Sequence, residues 1–236
     1  MASRVPREST QRLQAARLHG MAEMARSLGH EINNTLAAMV LRLEMLTQDA
    51  PPTGPVRESV DVLDTAVQQG GALVARLRDM ARLSRPLIPR PVALATTVDD
   101  AVDAVRARLA TARGIALSTE HGTAPPVAGD RAELALAVRE LLHNALDAVN
   151  GSGRVRVVTG ARGGSVWCRV VDDGPGLPAE LLARAFDPFV TTRGERGRGL
   201  GLTLALTVAA RHEGELTLAA GRDGGCVATL EVPATR

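Results

Sequence analysis

Apolar residues recur every three or four positions along the first 85 residues, which predicts two long helices. The first apolar stripe consists of Leu18, Met21, Ala25, Leu28, Ile32, Leu36, Met39, Leu43 and Leu46, and the second of Val60, Leu63, Val67, Val74, Leu77 and Ala81. The proline-rich segment 49–55 separates them, because proline cannot continue a helix. One narrow stripe per helix favours a hairpin that dimerises into a four-helix bundle. The alternative is a hairpin that packs onto the rest of its own chain.

The second half of the chain alternates between helical and strand patterns. The helical patterns cover 97–113, 130–149 and 200–212, and the strand patterns cover 115–119, 154–159, 165–171, 215–219 and 226–232. Glycine-rich turns join two pairs of strands, which predicts antiparallel hairpins. The fold class is therefore predicted to be α+β, with a long helical hairpin followed by a layered α/β sandwich that contains a mixed sheet.

Prolines between these two halves indicate a linker, since each restricts its own backbone and that of the preceding residue. The predicted organisation is an N-terminal extension over 1–10, the helical hairpin over 11–85, the linker over 86–91 and the α/β domain over 92–236.

Composition excludes several classes of protein. The formal net charge of the 236 residues is only +2, and every basic residue is arginine. One Trp and two Phe are too few to stack on nucleic acid bases. No run approaches the about 18 apolar residues of a membrane span. The first ten residues lack the apolar core of a signal peptide, which predicts a cytoplasmic protein. The two cysteines, Cys168 and Cys226, are predicted to be reduced.

His30 lies on the polar side of the first predicted helix. At about 100° per residue, Leu28 and Ile32 bracket the apolar stripe and His30 points away from it. A solvated imidazole keeps a nucleophilic nitrogen for part of the time near neutral pH. The adjacent Glu31 could fix the ring and accept a proton during attack on phosphorus, and Asn34 shares the exposed face. The alternative is an ordinary surface histidine.

Gly70 and Gly71 interrupt the second apolar stripe, and each costs a helix about 1 kcal/mol relative to alanine. Folding the hairpin at its prolines brings the pair to the level of Asn34 and Thr35. We expect the glycines to thin the bundle beside the histidine. A simple packing notch is the alternative.

Four further segments make sense together as a nucleotide pocket. The helix 139–148 places Glu140, Asn144 and Asp147 on one polar face, where oxygen atoms could hold Mg²⁺. At the end of a strand, 170–177 contains Asp172, whose carboxylate could accept a hydrogen bond from a base, and glycines that permit close approach.

The other two segments are 185–193, which holds both phenylalanines, and 194–202, a glycine-rich stretch that opens the last long helix. Backbone N–H groups at a helix start bind phosphate. The stretch is neither a Rossmann fingerprint, because no βαβ unit precedes it, nor a Walker loop, because Gly-Lys-Ser/Thr is absent.

Together these residues resemble the sensor histidine kinases of two-component systems, over about residues 12–233. His30-Glu31-Ile32-Asn33-Asn34 is similar to the phosphoacceptor box of that family. The resemblance implies that His30 is the phosphoacceptor and Glu31 its acid/base partner. It also implies that Asn34 positions water for dephosphorylation of the response regulator.

The second half resembles the Bergerat ATP-binding fold of these kinases. In that fold Asn144 and Glu140 would bind Mg²⁺ and Asp172 would recognise adenine, while the glycines of the second glycine box would border a mobile lid. The implied nucleotide-binding residues are Glu140, Asn144, Asp147, Asp172, Gly174, Gly176, Phe186, Phe189, Thr192, Arg193, Gly197, Gly199, Leu200 and Gly201.

The function implied is autophosphorylation of His30 from ATP and Mg²⁺, followed by transfer to an aspartate on the receiver domain of a response regulator. Phosphatase activity toward that regulator and a homodimer formed through the hairpin are implied as well. Two departures stand out: Thr35 occupies a position where many relatives have proline, and Glu140 one where many have asparagine.

The carboxylate of Glu140 resembles the water-activating glutamate of related ATPases, so an ATP-hydrolysing switch is an alternative function. A binding or phosphotransfer module with a vestigial nucleotide domain is another. With no sensor domain in the sequence, the chain is expected to be either a soluble kinase that responds to a separate sensor protein or a truncated kinase core.

Overall fold

A computed structural model describes residues 32, 34–49, 51, 53–109, 114–182, 184–187, 190, 199–221 and 224–235. The chain divides into two compact units, one within Arg12–Arg85 and one within Pro86–Arg236. Among the helices of these described ranges, none is both long and apolar enough to cross a membrane.

The first unit contains the two predicted helices. Helix α1 covers 34–49, and helix α2 covers Pro55–Leu83. The break between them lies where the prolines predict it, with Gly54 at φ 104° just before α2 and Pro55 in its first turn. Proline is tolerated there because the first N–H groups of a helix have no intrahelical partner.

The apolar stripes of this unit separate into an inner and an outer row. Leu43, Val60 and Val74 are buried, with exposed fractions of 6%, 5% and 2%. By contrast, Met39 and Leu63 are 48% and 51% exposed, and Ile32 and Leu46 are similarly open to solvent. The inner row therefore joins the two helices of the hairpin, and the outer row has no cover within the described part of the chain.

The described residues of the second unit form seven strands and four helices. The strands are β1 (Arg90–Val92), β2 (Gly114–His121), β3 (Val127–Gly129), β4 (Ser152–Arg162), β5 (Ser165–Asp172), β6 (Glu215–Ala220) and β7 (Cys226–Pro233). The helices are α3 (Leu94–Leu109), α4 (Arg131–Ala148), α5 (Ala179–Leu182) and α6 (Gly201–Arg211). The five predicted strands and three predicted helices are all present, although α3 begins three residues earlier than expected.

The main sheet has the order β2-β4-β5-β7-β6. Strand β2 runs parallel to β4, and the other neighbours are antiparallel. A tight turn at Gly163 and Gly164, with φ of 60° and 84°, closes the β4–β5 hairpin. The predicted α+β class with a mixed sheet is therefore confirmed.

The sequence patterns missed the small sheet of β1 and β3. Arg90 pairs with Gly129 in this antiparallel sheet, so the end of the predicted linker is a strand. Each strand has only three residues, which is too short for a period-2 pattern to stand out. Pro91 is accepted because a two-stranded sheet has only edge strands.

The core lies between the sheet and helices α3, α4 and α6. Alternate residues of the central strands point into it, among them Val157, Val166 and Leu230, each with 0% exposure. Cys168 is also enclosed, and burial raises the pKa of its thiol to about 12. Both cysteines are free, as predicted.

Helices α4 and α6 are antiparallel, and polar contacts fix one end of the pair. The carboxylate of Glu133 on α4 accepts two hydrogen bonds from the guanidinium of Arg211 on α6, both of 2.9 Å. The ring of His212 accepts a hydrogen bond at Nε2 from the backbone N–H of Asp130 (3.0 Å) and donates from Nδ1 to the carbonyl oxygen of Val208 (2.8 Å). We call this end of the helix pair the anchor end. The opposite end of α6 lies beside the middle of α4.

Candidate functional site

Asp172 is a buried carboxylate at the end of β5, with 6% exposure. Its Oδ1 atom accepts hydrogen bonds from the backbone N–H groups of Gly174 (3.0 Å) and Cys226 (3.3 Å). The thiol of Cys226 lies close enough for the charge of Asp172 to add to the effect of burial, and together they raise its pKa to about 11. The two backbone donors fix the orientation of the Asp172 carboxylate.

Asp173, the next residue, faces a different partner. Its carboxylate accepts hydrogen bonds from the backbone N–H (2.7 Å) and the Nε (3.1 Å) of Arg154. The pKa of Asp173 is lowered, first by the backbone N–H and then by the guanidinium of Arg154. Asp173 therefore ties the β5 end to β4, while Asp172 remains on the inner side of the sheet, the side that carries the helices.

Three glycines bring neighbouring backbone close to Asp172. A Cβ atom at Gly174 would lie 3.0 Å from the backbone of Ala148 on α4, and one at Gly176 (φ 74°) would lie 3.0 Å from the carbonyl oxygen of Gly225. A Cβ at Gly225 would collide with the carbonyl oxygen of Asp172. Glycine is therefore required where the turn before β7 crosses the end of β5.

Sequence reasoning missed Gly225 and Cys226 as site residues, because the segment 221–225 reads as an ordinary hairpin turn. No signal along the chain marks this contact, because a Gly-Gly pair between two strand patterns is typical of a hairpin turn, and β6 and β7 do pair antiparallel across it.

The start of α6 meets the polar face of α4. A Cβ atom at Gly201 would lie 2.8 Å from Oε2 of Glu140 and 3.7 Å from Nδ2 of Asn144. Glu140 is only 2% exposed. The Nδ2 atom of Asn144 is buried and has no hydrogen-bond acceptor in the described chain, although other interactions engage this residue. Three residues predicted to bind nucleotide, from two segments of the chain, therefore lie side by side.

The same face of α4 opens gradually toward solvent. His143 lies near Glu140, with 3.9 Å between its Nδ1 atom and Oε1 of the carboxylate. Asp147 is exposed. Because Asn144 and Ala148 are one turn apart, α4 connects the Gly201 contact with the Gly174 contact. We refer to the region between the two contacts as the cleft.

The phenylalanine segment supports α6. Phe186 is 4% exposed, and its carbonyl oxygen accepts a hydrogen bond of 3.1 Å from Oγ1 of Thr203. Gly199, at φ 62°, precedes Leu200, the N-cap residue of α6, which is buried. No side chain caps this helix start. The first N–H groups of α6, at the end of the helix that borders the cleft, therefore have no capping side chain as an acceptor.

Several predicted site residues lie outside the described residues: His30, Glu31, Phe189, Thr192, Arg193 and Gly197. Asn34 is described and lies exposed on α1, as the polar face predicts. In the described part of the chain, no group of three or more His, Cys, Asp or Glu side chains could hold a metal ion. Among the described residues of this site, Glu140 and Asn144 are the ones predicted to hold a metal.

Comparison with known families matches both units. Residues 21–86 match the His Kinase A (phospho-acceptor) domain, and residues 129–236 match the histidine kinase-, DNA gyrase B- and HSP90-like ATPase family. The chain belongs to the sensor histidine kinases. The resemblance inferred from the sequence is therefore confirmed.

Individual histidine kinases show the same relationship. The sensory histidine kinase/phosphatase NtrB of Rhodobacter capsulatus is 30% identical over 92% of this chain and 63% of its own length. The sensor protein CreC of Escherichia coli is 33% identical over 87% of this chain and 44% of its own length. The chain thus spans less than two thirds of either relative.

A solved kinase structure supports the architecture. The crystal structure of full-length ShkA in complex with AMPPNP aligns with a TM-score of 0.73 at 25% identity, over 91% of this chain and 46% of that one. The cleft bordered by α4, the β5 end and the α6 start is accordingly the candidate nucleotide site of a histidine kinase.

Proposed function

We propose that the protein is an ATP-dependent histidine kinase that phosphorylates His30 and passes the phosphoryl group to an aspartate of a response regulator. The observation that supports this most strongly is that two predicted nucleotide-binding segments contact neighbouring turns of α4: Gly201 lies beside Asn144, and Gly174, which hydrogen-bonds to Asp172, lies beside Ala148. The hairpin that carries Asn34 forms a unit of its own.

Asp172 is proposed to recognise adenine. Backbone N–H groups hold its Oδ1 atom in place, which pre-orients the carboxylate to accept a hydrogen bond from the exocyclic amino group of the base. Adenine carries such an amino group, whereas a carbonyl oxygen at the same place would be repelled. Gly174 and Gly176 let the backbone approach the base closely.

The phosphates are proposed to lie at the other end of the cleft. The positive end of the α6 dipole and the N–H groups of its first turn favour an anion there. Asn144 and Glu140 are the residues that would hold Mg²⁺, whose charge would offset that of the phosphates. From the family resemblance we propose that Phe189, Thr192, Arg193 and Gly197 also contribute to this end.

The transfer step is proposed as an in-line displacement. An imidazole nitrogen of His30 attacks the γ-phosphorus of ATP, the bond to the bridging oxygen breaks, and ADP leaves with the electron pair of that bond. The carboxylate of Glu31 accepts the proton from the ring. Positioning and charge neutralisation supply most of the acceleration in such reactions. An aspartate of the receiver domain then takes the phosphoryl group from His30.

The outer apolar row of the hairpin supports a homodimer. Ile32, Met39 and Leu46 recur at intervals of seven residues on α1, and Leu63 is equally exposed on α2. Heptad spacing places these side chains along one stripe, which a second copy would cover in a four-helix bundle. We further propose that Asn34 positions water when the phosphorylated regulator is hydrolysed.

The test is labelling with γ-³²P ATP. The wild-type protein should acquire a label that is lost in acid and retained in alkali, as a phosphoramidate is, and His30→Gln should acquire none. His121→Gln is the matched control, because His121 contacts Thr159 and Asp99 away from the cleft. Undiminished labelling of His30→Gln would refute the proposal.

A second candidate function is ATP hydrolysis, which Glu140 favours. Its buried carboxylate, beside Gly201, could accept a proton from an attacking water molecule. Steady release of phosphate without phosphoprotein, abolished in Glu140→Gln, would support this candidate over the kinase.

A further inference from the structure

Gly70 and Gly71 stand next to each other in the 29-residue helix α2, yet their surroundings differ. A Cβ atom at Gly70 would lie 3.2 Å from Cδ2 and 3.8 Å from Cδ1 of Leu36 on α1. A Cβ atom at Gly71 would have no neighbouring atom within 4 Å. Only Gly70 therefore shapes the contact between the two helices.

The contact at Gly70 differs from the other layers of the hairpin. Elsewhere along the inner row α2 contributes buried valines, such as Val60 and Val74. At this level the Leu36 side chain rests instead on bare α2 backbone. The glycines were expected at the level of Asn34 and Thr35, and the observed contact, with Leu36, lies one residue farther along α1.

The position of Leu36 on Gly70 also affects the position of the neighbouring turn of α1. Residues 34–49 form one continuous helix, so the depth and rotation of Leu36 are transmitted to Asn34, two residues earlier. Thr35 cannot bend the helix as a proline would. The contact of Leu36 with Gly70 therefore contributes to the placement of this turn relative to α2.

We propose that Gly70 is a positioning residue for the phosphotransfer reaction: its bare backbone seats Leu36 and thereby sets the position of the turn of α1 that carries Asn34, four residues after His30 in the sequence. The inference rests on the proposed kinase function. A methyl group at residue 70 would push Leu36 outward by a few tenths of an ångström, whereas the same methyl group at residue 71 would displace nothing.

The test compares Gly70→Ala with Gly71→Ala in the full chain. Both variants gain the same intrinsic helix propensity, so a difference between them reports the Leu36 contact. The rate of His30 labelling and the KM for ATP are measured with Mg²⁺ and γ-³²P ATP. Gly71→Ala should label within about twofold of wild type, and Gly70→Ala should label roughly fivefold more slowly with an unchanged KM, since small misplacements mainly lower the rate of the chemical step.

A compensating variant distinguishes a loss of positioning from a general loss of folding stability. Leu36→Val removes the two atoms that a Cβ at residue 70 would meet, so Gly70→Ala/Leu36→Val should recover to within about twofold of wild type. If Gly70→Ala alone fails to fold, the double variant decides in the same way: recovery supports the proposal and continued loss overturns it.

Equal labelling rates for Gly70→Ala and Gly71→Ala would overturn the inference while leaving the kinase intact. A wild-type chain that acquires no label at His30 would instead refute the proposed function itself. The two failures are therefore distinguishable in a single set of assays.

Discussion

The two ends of the α4–α6 helix pair use polar residues in opposite ways. At the anchor end, Glu133 and Arg211 satisfy each other, and His212 has partners at both ring nitrogens. At the cleft end, Glu140 and Asn144 meet a glycine, Gly201, and the absence of a side chain there lets the start of α6 approach them closely. The Glu133–Arg211 contact ties two helices to each other, whereas Glu140 and Asn144 lie where two segments predicted to bind nucleotide meet.

This contrast explains how a binding cleft can be kept open in a small domain. The anchor end fixes α6 against α4 far from the cleft, and the hydrogen bond from Thr203 to the carbonyl oxygen of Phe186 supports the other end of α6. Substitutions at the two ends should therefore separate folding stability from nucleotide affinity.

The largest effect is expected from breaking the anchor. Glu133→Gln removes the negative partner of a largely buried guanidinium, which should lower the free energy of unfolding by about 3 kcal/mol. At temperatures where the variant stays folded, its affinity for ATP should equal that of wild type. Thermal unfolding and calorimetric titration with ATP measure the two quantities. A variant that loses affinity while keeping its stability would contradict the assignment of the anchor.

Filling the cleft end should have the converse effect. Gly201→Val places a branched side chain against Glu140 and Asn144, and steric conflict of this size costs about 1–3 kcal/mol. We expect the affinity for ATP to fall by roughly 10- to 100-fold. Calorimetric titration tests this, with circular dichroism to verify the fold. Wild-type affinity in Gly201→Val would show that the nucleotide does not use this space.

The adjacent aspartates allow a sharper comparison within the cleft. Asp172→Asn replaces the carboxylate proposed to accept the adenine amino hydrogen with a group that also donates, so ATP affinity should fall by about tenfold, the value of one hydrogen bond to a charged group. Asp173→Asn changes a residue engaged by Arg154 and should leave ATP affinity within twofold. Equal losses in both variants would contradict the division of roles.

The smallest expected effect is a change in thermal stability at acid pH. The guanidinium of Arg131 holds the pKa of Asp100 below its usual value, and Arg154 does the same for Asp173. Carboxylates with lowered folded-state pKa stabilise the fold above their unfolded-state pKa of about 3.9, and this stabilisation is lost as pH falls through the lower folded-state values. The melting temperature of Asp173→Asn should therefore converge with that of wild type as the pH falls through the lowered folded-state pKa of Asp173. A constant difference across pH would argue against this linkage.

The sequence predicts the helices and strands well, because long amphipathic patterns and glycine turns encode them locally. It also predicts that Asp172, Asn144 and Gly201 belong to one pocket, from the chemistry of their segments and from the family resemblance, although spacing along the chain alone cannot bring α6 back to α4. The role of Gly225 was missed because its requirement for glycine arises from contact with Asp172, 53 positions away.

The same distinction applies to the anchor and the small sheet. Glu133 and Arg211 are ordinary surface-type residues in the sequence, and only the antiparallel packing of two distant helices pairs them. Strands β1 and β3 are fixed by their pairing with each other, because three residues carry too little pattern to be recognised alone.

The most direct test of the account compares binding with transfer in one variant. His30→Gln should bind ATP with wild-type affinity in calorimetric titration, because the cleft is built entirely from residues of the other unit, yet it should acquire no acid-labile phosphate. Wild-type affinity together with complete loss of label is the predicted result. Retention of an acid-labile label in His30→Gln would contradict the central claim that His30 receives the phosphoryl group of ATP.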